Sequence, residues 1–277
     1  MSPQEVESIE IDLLLEAIFR RYGYDFRRYA RASIERRVRL FLSQSGGTTI
    51  AEMIPRLLRD ADFFARMAQY FSVPVTEMFR DPFVYQALRR QIIPLLRTWP
   101  HVKIWHAGCA SGEEIYSLAI LLREEGLYER VTIYATDFND TALAQARAGI
   151  YSLEKIRDAT RNYQLAGGQA AFSDYYHAGP DAAVIDADLR RRITFANHNL
   201  AVDQAFGDMH LILCRNVLIY FNRELQNHSL ELFRNSLVNG GFLCLGSKED
   251  LAFSSVIGQF KTIDADAKIY KKLEAAP

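Results

Sequence analysis

Cysteine, proline and glycine are all sparse in this sequence of 277 residues, which has three cysteines, eight prolines and 15 glycines. The cysteines (Cys109, Cys214 and Cys244) are odd in number and far apart, and the chain has neither a CxxC pair nor an HExxH motif. This pattern argues against a disulfide framework and against a metal site. With 49% hydrophobic and 24% charged residues, the composition excludes disordered and fibrous folds.

An excess of charge of either sign is also lacking, because 33 Lys and Arg residues face 34 Asp and Glu residues. A neutral chain gives no general reason to expect nucleic acid or an acidic membrane as a partner. No uninterrupted apolar run approaches the length of a membrane span, and the acidic start MSPQEVESIEID does not resemble a signal peptide. We therefore expect a reduced, cytoplasmic protein that binds no nucleic acid and does not insert into a membrane.

Three regions follow from the patterning. Residues 1–72 are predicted to form a helical domain, because apolar residues recur at spacings of three and four in the series Ile9, Leu13, Ile18 and the series Ala30, Ile34, Val38, Phe41. Two prolines mark residues 73–82 as a non-helical connector. From residue 83 to 277, strand and helix patterns alternate, which predicts a doubly wound parallel sheet. Residues from about 150 to 193 interrupt this rhythm as an inserted subdomain, and a final hairpin predicts an antiparallel strand.

The turn after the first predicted strand carries a candidate ligand site. Gly108 opens a loop that ends in Gly112 and two glutamates, where backbone N–H groups of a helix N-terminus can approach a ligand. The loop lacks the GxGxxG spacing, and its carboxylates would repel a pyrophosphate. A ligand with a positive group fits Glu114 better. The alternative is that both glutamates only complement the helix dipole.

The second strand of the sheet ends in Asp137, whose carboxylate could accept hydrogen bonds from both hydroxyls of a ribose. Alternatively, Asp137 caps the following helix, although Asn139 or Asp140 could do this equally well. A nucleoside without phosphate but with a cationic tail is S-adenosylmethionine (SAM), which fits the glycine loop, Asp137 and Glu114 together.

A later strand ends in CRNVLIYF, where Arg215 and Asn216 interrupt an apolar run. Buried polar groups need partners, and the carboxyl end of a central strand is where a ligand would supply them. Tyr220 closes this stretch and could equally be a core aromatic residue. The cysteines are more typical of small buried hydrophobic residues than of nucleophiles.

Five segments in register identify a family. The stretches VTEMFRD, GCASGEEIYSLA, ATD, HNL and CRNVLIYF together resemble the CheR chemotaxis receptor methyltransferases over essentially the whole chain. The resemblance implies a class I SAM-dependent methyltransferase fold behind a helical domain, with an inserted β-subdomain. It also implies methylation of glutamate side chains on cytoplasmic chemoreceptor helices to γ-methyl esters, with S-adenosylhomocysteine (SAH) as product and no metal.

Site residues carried over from the family are expectations of the resemblance. Tyr220 would lie beside the substrate and, with Arg80, form the catalytic pair. Pro74 stands where the family often has an asparagine, so that contact must be lost or replaced. The family's cofactor-contacting positions correspond here to Thr76, Arg80, Glu114, Asp137, Asn199, Leu200, Arg215 and Asn216.

Two surfaces are predicted to meet the substrate. Residues 75–81 form a lid in our hypothesis, with Arg80 holding a carboxylate of either the cofactor or the substrate. Eight arginines lie between positions 20 and 39, against two acidic residues. At helical spacing, Arg28, Arg36 and Arg39 fall on one face. They would bind glutamate-rich receptor helices, or simply form a solvated surface.

The insertion resembles a family subdomain that in some members docks a pentapeptide tether of the receptor by strand addition. The loop at residues 177–181 is short and poor in glycine, which favours a tether-independent enzyme, and we expect a monomer. Three other functions stay open at this point. They are a catalytically silent SAM-binding or receptor-docking module, a methyltransferase for another substrate, and an NAD-dependent oxidoreductase, which the glycine spacing disfavours.

Overall fold

A computed structural model describes residues 1–71 and 76–274. Pro74 and Val75, named in the sequence analysis, lie outside the described residues. The chain divides into two compact units. The first unit comprises Met1–Val73, Asn199–Asp203 and Leu218–Ser229, and the second comprises Pro74–His198, Gln204–Val217 and Leu230–Pro277.

The first unit is helical, and its ends follow local sequence signals. Ser2 and Glu5 form a capping box at the start of the first helix, and Gly23 ends that helix in the left-handed conformation, with φ of 80°. Gly46 ends the second helix in the same way. The helices are α1 (Pro3–Tyr22), α2 (Arg31–Ser45), α3 (Met53–Arg59) and α4 (Ala61–Phe71), with a 3-10 turn at Phe26–Arg28.

The buried face of α1 includes only Ile18 of the predicted series Ile9, Leu13 and Ile18. Ile9 and Leu13 are exposed. The core face is formed by Ile11, Leu14, Leu15 and Ile18. Apolar residues occur on both sides of this helix, so their spacing alone could not select the side that packs. In α2, by contrast, the predicted residues Ile34, Val38 and Phe41 are buried.

The second unit is built around a seven-stranded sheet with the order β6-β2-β1-β7-β8-β10-β9. The first five strands in this order are parallel, and β10 runs antiparallel to both of its neighbours. This arrangement confirms the doubly wound sheet with a final antiparallel strand. The strands are β1 (Val102–Ala107), β2 (Val131–Asp137), β6 (Ile193–Asn197), β7 (Met209–Cys214), β8 (Leu237–Leu245), β9 (Phe260–Asp264) and β10 (Ile269–Lys272).

Helices cover this sheet and enclose its core. The helix α7 follows β1 directly, and its apolar residues are fully buried with those of β1 and β2, as the near-continuous apolar pattern of central parallel strands requires. The helix α10 begins in a segment of the first unit and ends in the second. The bounds are α5 (Pro82–Ala87), a π-helical turn (Leu88–Ile92), α6 (Ile93–Leu96), α7 (Glu113–Glu124), α8 (Asp140–Ala148), α9 (Leu153–Leu165) and α10 (Arg223–Ser236).

The inserted subdomain is a small antiparallel sheet with the order β3-β5-β4. Its strands are β3 (Ile150–Ser152), β4 (Tyr176–Ala178) and β5 (Ala182–Ile185). The helix α9 lies between β3 and β4 in the chain, and the 3-10 turn Ala187–Leu189 precedes β6. The β-character expected for this region is therefore confirmed.

The described part of the connector is anchored in the core of the second unit. Met78 and Phe79 are buried, and the Phe79 ring contacts those of Tyr85, Tyr163 and Phe172. The Phe79 amide also donates a 2.8 Å hydrogen bond to Ser117 Oγ. Any movement of this segment as a lid would have to expose the two large apolar side chains of Met78 and Phe79, so the lid hypothesis for residues 75–81 stays a prediction.

Candidate active site

The loop between β1 and α7 is shaped by two glycines. Gly108 has a φ of 75°, and a Cβ atom there would lie 2.5 Å from Val217 Cγ2. Gly112 has a φ of 92° and precedes the first residue of α7. A larger residue would meet both steric and backbone strain at Gly108. Because Gly108 has no side chain, the loop can pack closely against Val217, which follows β7.

Asp137 ends β2 and holds the neighbouring backbone. One carboxylate oxygen accepts a hydrogen bond from the Ala110 amide and the other accepts one from the Asn139 amide, both at 2.9 Å. Asn139 caps α8 through its side chain, so Asp137 is not the cap. Burial raises the pKa of Asp137, and the hydrogen bonds from Asn139 and Ala110 partly offset that rise. The carboxylate links the loops that follow β1 and β2, and the residue as a whole is partly exposed.

Glu114 forms a buried ion pair with Arg215. The guanidinium of Arg215 donates through Nη1 to Glu114 Oε1, and their side chains are 0% and 6% exposed. Burial alone would raise the pKa of Glu114, but Arg215 and His106 outweigh it and lower the pKa to about 2. The glutamate is therefore ionised at neutral pH, and it joins the first turn of α7 to the end of β7.

Arg215 also holds the connector. Its Nη1 donates to the carbonyl oxygen of Arg80 at 3.2 Å, and its Nη2 donates to Asp81 Oδ2 at 2.7 Å. The family resemblance places Arg215 among the cofactor-contacting positions, and in this structure its side chain is fully buried. Any contact at this position would use the backbone.

Asn216 has an unusual backbone and an unpaired amide oxygen. Its φ is 59°, and its amide donates a 3.0 Å hydrogen bond to Glu249 Oε2. Glu249 also accepts a 2.6 Å hydrogen bond from the Gly246 amide. The Oδ1 atom of Asn216 is buried and has no hydrogen-bond partner among the described residues. An unpaired buried acceptor at the end of a central strand is a position where a ligand donor fits.

Thr76 and Arg80 are both partly exposed. Thr76 lines a cavity of about 70 Å³ together with Met78, Glu113 and Lys155. Glu113 is 1% exposed, accepts a 2.6 Å hydrogen bond from Lys155 Nζ and accepts another from Ser111 Oγ. Contacts within the protein therefore occupy Glu113. A ligand role is considered only for its neighbour Glu114.

Three of the predicted site residues belong to the first unit, namely Asn199, Leu200 and Tyr220. The Asn199 side chain accepts a hydrogen bond from the Ala201 amide, and Leu200 is 7% exposed. The Tyr220 carbonyl accepts a 2.8 Å hydrogen bond from the Ala30 amide. Tyr220 is partly exposed and lies within a 3-10 turn, so it is not a fully buried core residue.

The predicted basic face is smaller than its sequence implied. Arg28 lies in the 3-10 turn before α2 and pairs with Glu224 at 3.0 Å, so it does not share a helical face with Arg36 and Arg39. Arg39 pairs with Glu7 of α1 and with Glu35. Arg36 is exposed and has no ion pair among the described residues. The helical-wheel prediction failed for Arg28 because the chain is not one continuous helix from position 28 to 39.

Comparison with known proteins assigns this arrangement to a family. Residues 74–269 match the family model described as CheR methyltransferase, SAM binding domain, and residues 9–72 match the CheR methyltransferase, all-alpha domain. The chain belongs to the CheR methyltransferase family. The resemblance drawn from the five sequence segments is thereby confirmed.

Relatives of this CheR chain cover nearly its full length. It is 48% identical over 272 residues to the "Putative methyltransferase Cher3" of Pseudomonas putida, covering 98% of this chain and 100% of that protein. It is 29% identical over 250 residues to a chemotaxis protein methyltransferase of Listeria innocua, covering 89% and 92%. Among solved structures, the N-methyltransferase NodS of Bradyrhizobium japonicum, in complex with SAH, has a TM-score of 0.40 at 15% identity and covers 72% of this chain and 89% of NodS.

Sequence reasoning missed four residues of this CheR chain that the structure makes prominent. Asp81 and Glu249 carry buried or partly buried hydrogen bonds to the stretch after β7. His106 is buried on β1, and Arg37 is buried on α2 beneath the Tyr220 ring, with its Cζ 5.0 Å from the ring centroid. The available signal for His106 was a polar residue inside the apolar strand pattern VKIWHA, whereas Arg37 lies in the charged stretch ERRVR and carries no such signal.

No described helix is long and apolar enough to span a membrane. Among residues 1–71 and 76–274, no cluster of histidine, cysteine, aspartate and glutamate side chains has the arrangement of a metal site.

Proposed function

We propose that this protein is a SAM-dependent methyltransferase that converts glutamate side chains of chemoreceptors to γ-methyl esters, for adaptation in chemotaxis or a related signalling system. Membership of the CheR family and the chemotaxis methyltransferases among its relatives support this proposal. The observation that carries it is the match to the family's SAM-binding domain, together with the positions of the two predicted acidic residues. Asp137 ends β2, and Glu114 lies in the first turn of α7, the helix that follows the adjacent parallel strand β1.

The residues present fit SAM. Asp137 is a partly exposed residue beside the glycine loop, and its carboxylate would accept hydrogen bonds from the hydroxyls of a ribose. Asn216 offers an unpaired buried oxygen to a donor. The ionised Glu114 favours a cationic ligand, although it shares its charge with Arg215. The remaining cofactor-binding residues of our proposal, carried over from the family resemblance and the glycine loop, are Thr76, Arg80, Gly108, Asn199 and Leu200.

Bound SAM would supply an electrophilic methyl group on a positively charged sulfur. The attacking group is a glutamate carboxylate, which is ionised at neutral pH because its ordinary pKa is about 4.3. The chain therefore needs no general base, and alignment and partial removal of water would provide most of the rate. In our proposal Tyr220 orients the incoming carboxylate, and Arg80 binds a carboxylate of either the cofactor or the substrate.

Calorimetric titration with SAH tests the cofactor site, with NAD as the control ligand. We expect micromolar binding of SAH, no binding of NAD, and loss of SAH binding in Asp137→Ala. Asp140→Ala is the matched control, since Asp140 lies at the start of α8 and is exposed. Failure of SAH to bind the wild-type chain would overturn the proposed function.

Transfer of a labelled methyl group to receptor fragments tests the reaction itself. A γ-methyl ester is labile to base, whereas an N-methyl group is not, so alkaline release of labelled methanol identifies the product. Arg80→Ala should weaken either SAH binding or turnover, and the affected quantity tells which carboxylate Arg80 holds. Unchanged values for both would remove Arg80 from the site.

The basic surface is proposed to bind the receptor through Arg36 and Arg39, with Arg28 contributing less because Glu224 already pairs with it. Reversing Arg36 and Arg39 to glutamate should raise the KM for a receptor fragment and leave SAH affinity unchanged. Reversal of Arg90, an exposed arginine of the second unit, is the control. A wild-type KM in the double reversal would favour a merely solvated surface.

Tether independence is proposed from the small β-subdomain. The hairpin between β4 and β5 turns in three residues, 179–181, and β4 is only three residues long. An edge strand this short offers few backbone groups for strand addition. Titration with a pentapeptide corresponding to a receptor C-terminus should give no heat, and micromolar binding would contradict the proposal.

A further inference from the structure

Glu249 is a buried residue whose carboxylate joins the ends of two neighbouring strands. It is 5% exposed and follows β8 in the chain. Its Oε2 atom accepts hydrogen bonds from two backbone amides, that of Asn216 at 3.0 Å and that of Gly246 at 2.6 Å. Asn216 follows β7 and Gly246 follows β8, and these two strands are adjacent and parallel. One side-chain oxygen therefore ties the carboxyl ends of both strands together.

The turn that carries Glu249 is shaped around this contact. The Glu249 amide donates a 2.9 Å hydrogen bond to the Gly246 carbonyl, which closes the turn over residues 246–249. A Cβ atom at Gly246 would lie 2.7 Å from both Glu249 Oε2 and the Asn216 amide nitrogen. These distances are shorter than van der Waals contact allows. Only glycine at this position lets the carboxylate and the Asn216 amide approach each other undisturbed.

The backbone that Glu249 holds is an unusual one. Asn216 has a φ of 59°, in the left-handed region that residues with a side chain seldom adopt. Such a conformation persists only where the surrounding structure enforces it, and the hydrogen bond from the Asn216 amide to Glu249 supplies such a constraint. The Asn216 Oδ1 atom is buried and lacks a hydrogen-bond partner within residues 1–71 and 76–274. Since the backbone sets where a side chain can lie, Glu249 also fixes the position of this acceptor.

The segment that carries Asn216 packs against the loop that we assign to the cofactor. Its next residue, Val217, lies so close to Gly108 that a Cβ atom on the glycine would be 2.5 Å from Val217 Cγ2. The same loop is held from the other side by Asp137, which accepts a hydrogen bond from the Ala110 amide. The unpaired acceptor of Asn216 is therefore carried by a fixed segment next to the glycine loop.

We propose that Glu249 is a positioning residue for the cofactor, which holds the Asn216 backbone so that Oδ1 of Asn216 accepts a hydrogen bond from bound SAM or SAH. The proposal rests on the proposed function and deepens it, because it adds a residue that acts through another and does not touch the cofactor. Both SAM and SAH carry suitable donors in their amino groups and hydroxyls. The reach of the Glu249 side chain, rather than its charge, is what Asn216 needs.

Calorimetric titration of three full-length Glu249 variants with SAH separates reach from charge. Glu249→Gln keeps the length and an acceptor oxygen, whereas Glu249→Asp keeps the charge and loses the reach. We expect Glu249→Asp and Glu249→Ala to raise the SAH Kd by about tenfold, the size of one misplaced hydrogen bond to the ligand. Glu249→Gln should rescue binding to within about threefold of wild type. Asp250→Ala is the matched control, because Asp250 is an exposed carboxylate of the same loop that accepts from the Ala252 amide.

A double-mutant cycle with Asn216→Ala tests whether Glu249 acts through Asn216. Asn216→Ala alone should weaken SAH binding by about tenfold. In that background Glu249→Asp should change the Kd by less than about twofold, because the oxygen that it positions is gone. Additive losses would overturn the proposal, since Glu249 would then act on the site by another route.

Two other results would also reject the positioning role. Wild-type affinity in Glu249→Asp would show that Asn216 does not need the carboxylate, and equal weakening in Glu249→Gln and Glu249→Asp would show that the acceptor alone is not enough. If circular dichroism finds Glu249→Ala unfolded, the comparison of Gln with Asp still decides. In each of these cases, SAH binding by the wild-type chain that is lost in Asp137→Ala would uphold the proposed function. Absence of SAH binding by the wild-type chain would reject both together.

Discussion

At the scale of single residues, buried charge is the feature that most constrains this molecule. Arg215 is a fully buried cation that binds Glu114, Asp81 and the Arg80 carbonyl. A lone buried charge is far more costly than a buried ion pair. The burial of Arg215 and the burial of Glu114 therefore depend on each other. The same contacts that stabilise the fold also hold the glutamate assigned to the cofactor.

Replacing Arg215 by methionine should lower the free energy of unfolding by about 3–5 kcal/mol, because Glu114 would stay buried without its partner. Urea denaturation followed by circular dichroism measures this loss. Arg39→Met is the control, since Arg39 is 54% exposed and its ion pairs lie at the surface, where the expected loss is about 0–1 kcal/mol. Equal losses of unfolding free energy in the two variants would show that the buried ion pair contributes no more to stability than the surface ion pairs.

Arg37 presents a different case, because no carboxylate of the described residues pairs with it. Its Nη1 donates to the Tyr70 and Phe71 carbonyls at the end of α4, at 3.0 and 2.7 Å, and its guanidinium lies against the Tyr220 ring. Burial lowers the pKa of Arg37, and Tyr220 partly offsets that effect. Helix-end carbonyls supply the negative potential that a carboxylate would otherwise provide.

The variant Arg37→Met should therefore destabilise the chain by about 1–3 kcal/mol, the cost of leaving buried carbonyls unpaired. Thermal and urea unfolding measure the change. Its neighbour Arg36 supplies the control, since Arg36→Met alters an exposed residue of the same helix and should change stability by no more than about 0.5 kcal/mol. Comparable stabilities for the two variants would argue against the structural role of Arg37.

At the scale of elements, the connector is the segment whose sequence and structure differ most. Its prolines predicted a non-helical segment, and residues 76–81, the part of the connector that the structure describes, contain no helix before α5 begins at Pro82. The lid hypothesis covers residues 75–81, and within this range Met78 and Phe79 belong to the core of the second unit. Non-helical backbone and buried side chains are compatible, since the Phe79 amide and the Met78 carbonyl find side-chain partners in Ser117 and Asn162.

Truncating Phe79 to alanine should cost about 3–5 kcal/mol of stability, as for other buried aromatic residues. Phe83 is the matched control, because it lies four residues later, is 44% exposed and should lose little on the same substitution. The midpoint of urea unfolding distinguishes the two. A small effect of Phe79→Ala would support the view of this segment as a loosely held lid.

At the scale of the whole molecule, acid should destabilise the fold through its paired carboxylates. The pKa of Glu114 is lowered from 4.5 to about 2 in the folded chain. A group with a depressed folded pKa stabilises the protein above its unfolded pKa, and that contribution disappears as the pH falls through the folded value. The window is therefore pH 4.5 to 2. Asp137, whose pKa is raised by burial, acts in the opposite sense.

Unfolding by urea between pH 7 and pH 2.5 should show this acid limb. Glu114 accounts for about 3 kcal/mol of the loss, the free-energy equivalent of its pKa shift. The variant Glu114→Gln is less stable at pH 7 but should lose correspondingly less on acidification, because it has no carboxyl group to protonate at that position. Parallel pH profiles for the wild-type chain and Glu114→Gln would contradict this assignment.

Much of the fold was predictable from the sequence because its signals are local. Alternating strand and helix patterns predicted the parallel sheet, and the glycine loop, the acid at the end of β2 and the Arg-Asn pair marked the ends of three neighbouring strands. The partners of these polar residues were not predictable. Glu114 and Arg215 are 101 residues apart in the chain, and no local sequence pattern around either residue predicts the other as its partner.

The sequence by itself determined the family, the fold class and the residue types available at the strand ends, since these depend on short patterns and their order. Only the tertiary structure decided which charges are paired. It buried the Arg215 side chain beside Glu114, gave Arg39 and Arg28 acidic partners, and buried His106 with its Nε2 atom 3.6 Å from Glu114. The physical reason is that burial and pairing depend on which distant segments pack together, and packing follows from the whole chain rather than from any local pattern.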